Sequence, residues 1–176
     1  MRRLLRELEQ QYPPFNQTPL RLEDLEMIAD HEGLLIFRQP IPCLSCLCSY
    51  RGRSFVLVKQ GLPPFLETIL LGHELGHHFF HPGLDLSLLK RTLFSRGKIE
   101  QEANAFALCA ILPTPALEQL IREKGYPSRT AIRGYLREEY GDITVCVEGR
   151  DRLEGLIRER VALDVLTRSF ALVRRR

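Results

Sequence analysis

The amino-acid sequence predicts an α+β domain, with a small three-stranded antiparallel sheet packed on one buried helix and additional helices around it. Three observations predict this. Residues 66–80 read LETILLGHELGHHFF, apolar nearly all round, and such a helix is normally buried in the middle of a domain. Ahead of it, residues 34–59 hold short apolar runs broken by Pro40, Pro42 and Gly52, the pattern of short strands with a hairpin. After it, apolar residues recur at helical spacing between proline and glycine breaks. A chain of 176 residues suits one domain and can bury a core without disulfide staples.

Residues 1–11 predict a short amphipathic helix, with Leu4, Leu5 and Leu8 on one side and Tyr12-Pro13-Pro14 ending it. Residues 22–31 predict a second helix, carrying Leu22, Leu25, Ile28 and Ala29 at helical spacing and stopped at Gly33. Residues 34–38 are strand-like, and Pro40 and Pro42 make residues 39–43 a loop. Residues 44–50 and 54–59 flank Arg51-Gly52-Arg53, which predicts a hairpin. Pro63 or Pro64 sits near the start of the apolar helix, where proline is tolerated, and Pro82-Gly83 ends it. Residues 84–98 read as a loop, then 99–112 as a helix rich in strong helix formers, closed by Pro113. Further helices are expected over 115–124 and, capped by Ser128 or Thr130, to about residue 140. Residues 143–147 are a short apolar run, and 151–167 predict a last amphipathic helix.

Composition narrows the classes. A hydrophobic fraction of 44% and a charged fraction of 27% are ordinary for a soluble protein. A net charge of +3 is too small to argue for nucleic-acid binding, and the Arg-rich ends read as solvated tails. No segment resembles a secretion signal, because Arg6, Glu7 and Glu9 interrupt the first apolar run, and no run is long enough to span a bilayer. Five cysteines, odd in number, read as reduced thiols of a cytoplasmic protein. Cys46 and Cys48 alternate on a predicted strand as buried thiols rather than a zinc site or redox sensor. Arg129, Arg133 and Arg137 form a stripe read as a solvated face.

The chemistry centres on His73-Glu74-Leu75-Gly76-His77, H-E-x-x-H. On a helix the two histidines face one way, one turn apart, and can hold one divalent metal beside Glu74 as general base. The plain alternative is a helix with two packed histidines and an exposed glutamate. A catalytic zinc takes a third protein ligand and keeps an open position. His81, Glu100 and Glu102 are the candidates. Side chains at i, i+4 and i+8 of a straight helix span about 12 Å, too far for bonds of about 2 Å. His81 is therefore read as a helix-end cap or a substrate-side, oxyanion-stabilising group. Glu100 shares a face with Ala103, Asn104 and Ala107. The alanines permit close helix approach, and Asn104 can accept a hydrogen bond from the distal nitrogen of a ligating histidine. Glu100 is the third ligand in this reading and Glu102 the reserve, with a first-turn acid as the alternative for the latter. Tyr50, Tyr126 and Tyr135 join His81 as oxyanion candidates.

His73 to His77 with His81-Pro82, then EQEANAFA from Glu100 and ILP ending at Pro113, resemble the ImmA/IrrE family of intracellular metallopeptidases. The resemblance covers about residues 19–113 and weakens beyond. It implies a zincin-like minimal core, with zinc on His73, His77 and Glu100 and with Glu74 as base. Several such proteins cleave a helix-turn-helix repressor and switch on stress or mobile-element genes. The expected division is a peptidase domain over 1–127 and a helical, substrate-docking extension over 128–176. The expected function is a cytoplasmic zinc endopeptidase acting on a DNA-binding repressor, without direct nucleic-acid or membrane contact. Mn2+ or Fe2+ is an alternative to Zn2+. The competing class is a non-catalytic zincin-fold module, or a toxin–antitoxin-like regulator, that binds its partner without cutting it.

Overall fold

A computed structural model describes residues 2–83, 96–124, 129–141 and 143. In order these form α1 (Arg2–Gln11), α2 (Leu22–His31), β1 (Leu35–Gln39), β2 (Ser45–Tyr50), β3 (Arg53–Lys59), α3 (Pro64–Phe80), α4 (Arg96–Ile111), α5 (Thr114–Lys124) and α6 (Arg129–Tyr140). The expected helix over 151–167, the run beyond Ile143, most of the 84–98 loop, Tyr126 and Cys146 lie outside the described residues. The α+β class stands, but the sheet is mixed rather than antiparallel. Its order is β1-β3-β2, with β3 antiparallel to β2 and parallel to β1. The hairpin is local: Arg51 and Gly52, with φ of 49° and 75°, make the two-residue turn. The pairing of β1 is not local. Its chain crosses at Pro40 and Pro42 to the far edge of the sheet, and β3 returns between the two.

One face of the sheet is buried through Leu47, Val56 and Val58. Alternation along each strand places these residues together against the helices. α3 runs beneath, opened by Pro64 at its first position and Glu67 in its first turn. It is buried all round because it serves two apolar clusters. Leu71 and Leu75 join Phe15, Leu25, Val56 and Phe106, whereas Phe65 and Ile69 join Leu108, Ile111, Leu117 and Ile132. α4 supplies residues to both clusters as well. α6 contributes Ala131, Ile132 and Leu136 to the second. Two polar ties fasten the ends. Asn16 Oδ1 accepts from the Thr114 backbone N–H at 2.9 Å, capping α5, and Arg38 Nε donates to the buried Glu67 at 2.6 Å.

The helices α3 and α4 pack unusually close. A methyl group on Gly76 would meet the backbone oxygen of Ala103 at 2.6 Å and its Cα at 2.7 Å. At Gly72 the nearest atom would be the Ala107 Cα at 3.3 Å. Glycines one turn apart on α3 thus face alanines one turn apart on α4, and the backbones come together where larger residues would hold them apart. This approach delivers the first turns of α4 to the histidines of α3.

Candidate metal centre

His73, Glu74 and His77 are each nearly inaccessible to solvent. His73 Nε2 and His77 Nε2 lie 3.0 Å apart. Glu100 enters from α4, with oxygens 3.3 Å from His73 Nε2 and 3.6 Å from His77 Nε2. Ligand atoms of the three residues all fall within 4.8 Å of one another. Among the described residues this is the one such His/Cys/Asp/Glu group.

The proton positions on the rings follow from their other partners. His73 Nδ1 lies 2.8 Å from Asn104 Oδ1, a carbonyl oxygen that only accepts. His73 therefore donates from Nδ1, and in the neutral ring its Nε2 carries a lone pair. Two ring nitrogens and a carboxylate then converge on one point. Tetrahedral coordination with bonds of about 2.0–2.1 Å sets donor atoms about 3.3 Å apart. The imidazole nitrogens are 3.0 Å apart, His73 Nε2 is 3.3 Å from Glu100 Oε2 and His77 Nε2 is 3.6 Å from Glu100 Oε1, all near that value, so this donor set fits a small divalent cation. In the metal-free state, with the two rings protonated on Nε2, hydrogen bonds from His73 and His77 hold the Glu100 carboxyl well below the usual carboxylate range, against the opposing effect of its partial burial. A cation at the same focus would act in the same direction.

Glu74 faces elsewhere. Its Oε1 accepts from Ser45 Oγ at 2.6 Å and its Oε2 from the Leu47 backbone N–H at 2.8 Å. Both donors belong to β2, an edge strand. The sequence reading missed Ser45, Leu47, Gly72 and Gly76. The Gly-x-x-x-Gly spacing opposite Ala103 and Ala107 was a usable signal for the glycines. Ser45 and Leu47 alternate on the strand, but nothing local says that their face meets Glu74.

Glu102 is not gathered with the three donors. It contacts His81, whose Nε2 lies 3.0 Å from Glu102 Oε2 and whose Nδ1 lies 3.4 Å from His77 Nδ1. His78, next to His77, turns away to Glu32 at 3.3 Å. Of the oxyanion candidates, Tyr50 is exposed on β2, and Tyr135 packs on the second apolar cluster, where burial raises its pKa. Cys46 and Cys48 share a strand face with sulfurs 3.6 Å apart, but they are half-buried rather than buried.

A three-stranded sheet on a buried H-E-x-x-H helix, with a glutamate brought in by the next helix, defines a zincin-like α+β domain. Residues 31–148 match the Peptidase M78 family, described as the IrrE N-terminal-like domain, and the chain belongs to that family of metallopeptidases. The chain is also 38% identical over 70 residues to a protein of Bacillus phage phi105 named uncharacterized immunity region protein 2. That match spans 39% of this chain and 44% of the phage protein, less than half of either. No solved structure matches the chain significantly.

Proposed function

We propose that this protein is a metal-dependent endopeptidase that cleaves a regulatory protein, with zinc as the metal and a helix-turn-helix repressor as the substrate. The observation that carries the reading is the convergence of His73 Nε2, His77 Nε2 and a Glu100 oxygen on one point, beside an oriented carboxylate. Family membership supports a peptidase. The immunity-region label of the phage relative supports a target in the control of mobile-element genes.

In this reading His73, His77 and Glu100 hold the cation. When bound, it supplies Lewis-acid polarisation of the scissile carbonyl. Glu74 takes the proton of the attacking water and returns it to the leaving amine. Ser45 and the Leu47 N–H hold the Glu74 carboxylate in one orientation. Asn104 holds the His73 ring. Because β2 is an edge strand that touches the base, an extended peptide added along β2 would pass close to Glu74.

The test pairs this chain with purified helix-turn-helix repressors from the genome that encodes it. Cleavage should require a divalent metal, stop with chelator and vanish in Glu74→Gln. If Glu74→Gln still relieves repression in cells, the protein works by binding its partner, and the peptidase reading is wrong.

A further inference from the structure

We propose that Glu102 and His81 form a positioning pair for His77, deciding which of its ring nitrogens carries the proton and so leaving the other bare for a cation. The proposal rests on the metallopeptidase reading above and adds how one half of the site is built. The chain of contacts has a direction. In the arrangement that turns His77 Nε2 to the cation site, the His77 ring proton sits on Nδ1, His81 accepts it at Nδ1, and the His81 proton lies on Nε2, 3.0 Å from the accepting Glu102 Oε2. A neutral imidazole protonated on Nε2 has its acceptor at Nδ1. His81 Nδ1 lies 3.4 Å from His77 Nδ1, and His77 then donates from Nδ1 and keeps the lone pair on Nε2. That Nε2 is the nitrogen facing His73 and Glu100.

The local structure supports this arrangement. The His81 backbone N–H bonds to the His77 carbonyl at 3.0 Å, continuing the helical spacing by one turn and setting the second ring behind the first. The His81 side chain is 8% exposed and that of Glu102 22% exposed, so the chain of contacts is largely shielded from water. α4 therefore holds His77 from both ends of its ring, through Glu100 at Nε2 and through Glu102 and His81 at Nδ1. Both nitrogens of His81 are engaged, one by Glu102 and one by His77, which leaves none for a cation. His73 reaches the same state by a different route, through Asn104.

The test measures Co2+ and Zn2+ affinity of the full chain by chelator competition, together with the Co2+ absorption spectrum. His81→Leu should weaken binding about 10- to 100-fold and Glu102→Ala by about tenfold. The double variant should bind no more weakly than His81→Leu, because Glu102 acts only through His81. His81→Asn keeps an acceptor near the Nδ1 position and should recover most of the loss; it also serves if His81→Leu does not fold. The Co2+ band positions should stay unchanged in every loaded variant, since the ligands are the same. Additive losses in the double variant, a shifted Co2+ spectrum in His81→Leu, or unchanged affinity in the single variants would each overturn the proposal alone. An unaltered chain that binds neither metal overturns the metallopeptidase reading and this proposal together.

Discussion

On one flank of α3 lies α4, on another lies β2, and the two hold the H-E-x-x-H helix by different means. The α4 flank is steric. Gly72 and Gly76 let two backbones approach so closely that a single methyl group at residue 76 would meet main-chain atoms. That closeness sets the distance from Glu100 to both imidazoles. The β2 flank is a matter of two hydrogen bonds, from Ser45 Oγ and the Leu47 N–H to one carboxylate. The packed flank assembles the candidate metal donors and has little slack, because interiors are close-packed and backbone cannot yield as a side chain can. The hydrogen-bonded flank orients one group and can be weakened without moving the helix. Metal binding and base positioning should therefore be separable by substitution.

The largest separation is expected at Glu74. Glu74→Gln removes the proposed general base and should lower turnover by about 100- to 10,000-fold. Metal affinity should stay near that of the unaltered chain, since Glu74 faces β2 and not the three donors. A matching loss of metal would show that the two flanks are one unit. Next comes the packed flank. Gly76→Ala should destabilise the fold by about 1–3 kcal/mol through overpacking and, by forcing α4 outward, reduce metal affinity as well. Thermal melts with and without zinc would report both effects, and a neutral outcome would mean that the helices slide freely.

On the β2 side, Ser45→Ala leaves Glu74 with one donor fewer. Turnover should fall by about tenfold, as expected for one hydrogen bond to a charged group, with metal affinity unchanged. Ser45→Thr should restore most of the rate, which a purely structural role for the hydroxyl would not require. The smallest effect should come from Gly72→Ala, where a methyl group would sit 3.3 Å from the Ala107 Cα. A loss below about 1 kcal/mol is expected, because a shift of a few tenths of an ångström relieves that contact. If Gly72→Ala proves as costly as Gly76→Ala, the tightness is a property of the whole helix pair and not of the turn that carries His77.

Much of the molecule was legible beforehand. Helices α1 to α3 and the β2–β3 hairpin follow from apolar spacing, proline stops and the Arg51-Gly52 turn, all of them local signals. The spacing of His73 and His77 made their common face a matter of helix geometry, and the alanines beside Glu100 indicated a close second helix. The antiparallel reading of β1 was wrong because strand direction in a sheet depends on which neighbour a strand meets, and β1 meets β3 only after the chain has crossed to β2 and returned. Glu102 looked like a spare ligand because its distance from Glu100 was visible, whereas its contact with His81 was not.

By itself the sequence determined the described helices, the hairpin and the pairing of the two histidines on one helix face, because each rests on periodicity or turn chemistry within a few residues; for a third donor it offered Glu100 ahead of Glu102. Only the tertiary structure decided the parallel place of β1, the grip of Ser45 and Leu47 on Glu74, and the link from Glu102 through His81 to His77. Those contacts join residues 29, 27 and 21 positions apart, and one-dimensional spacing carries no record of which faces packing brings together.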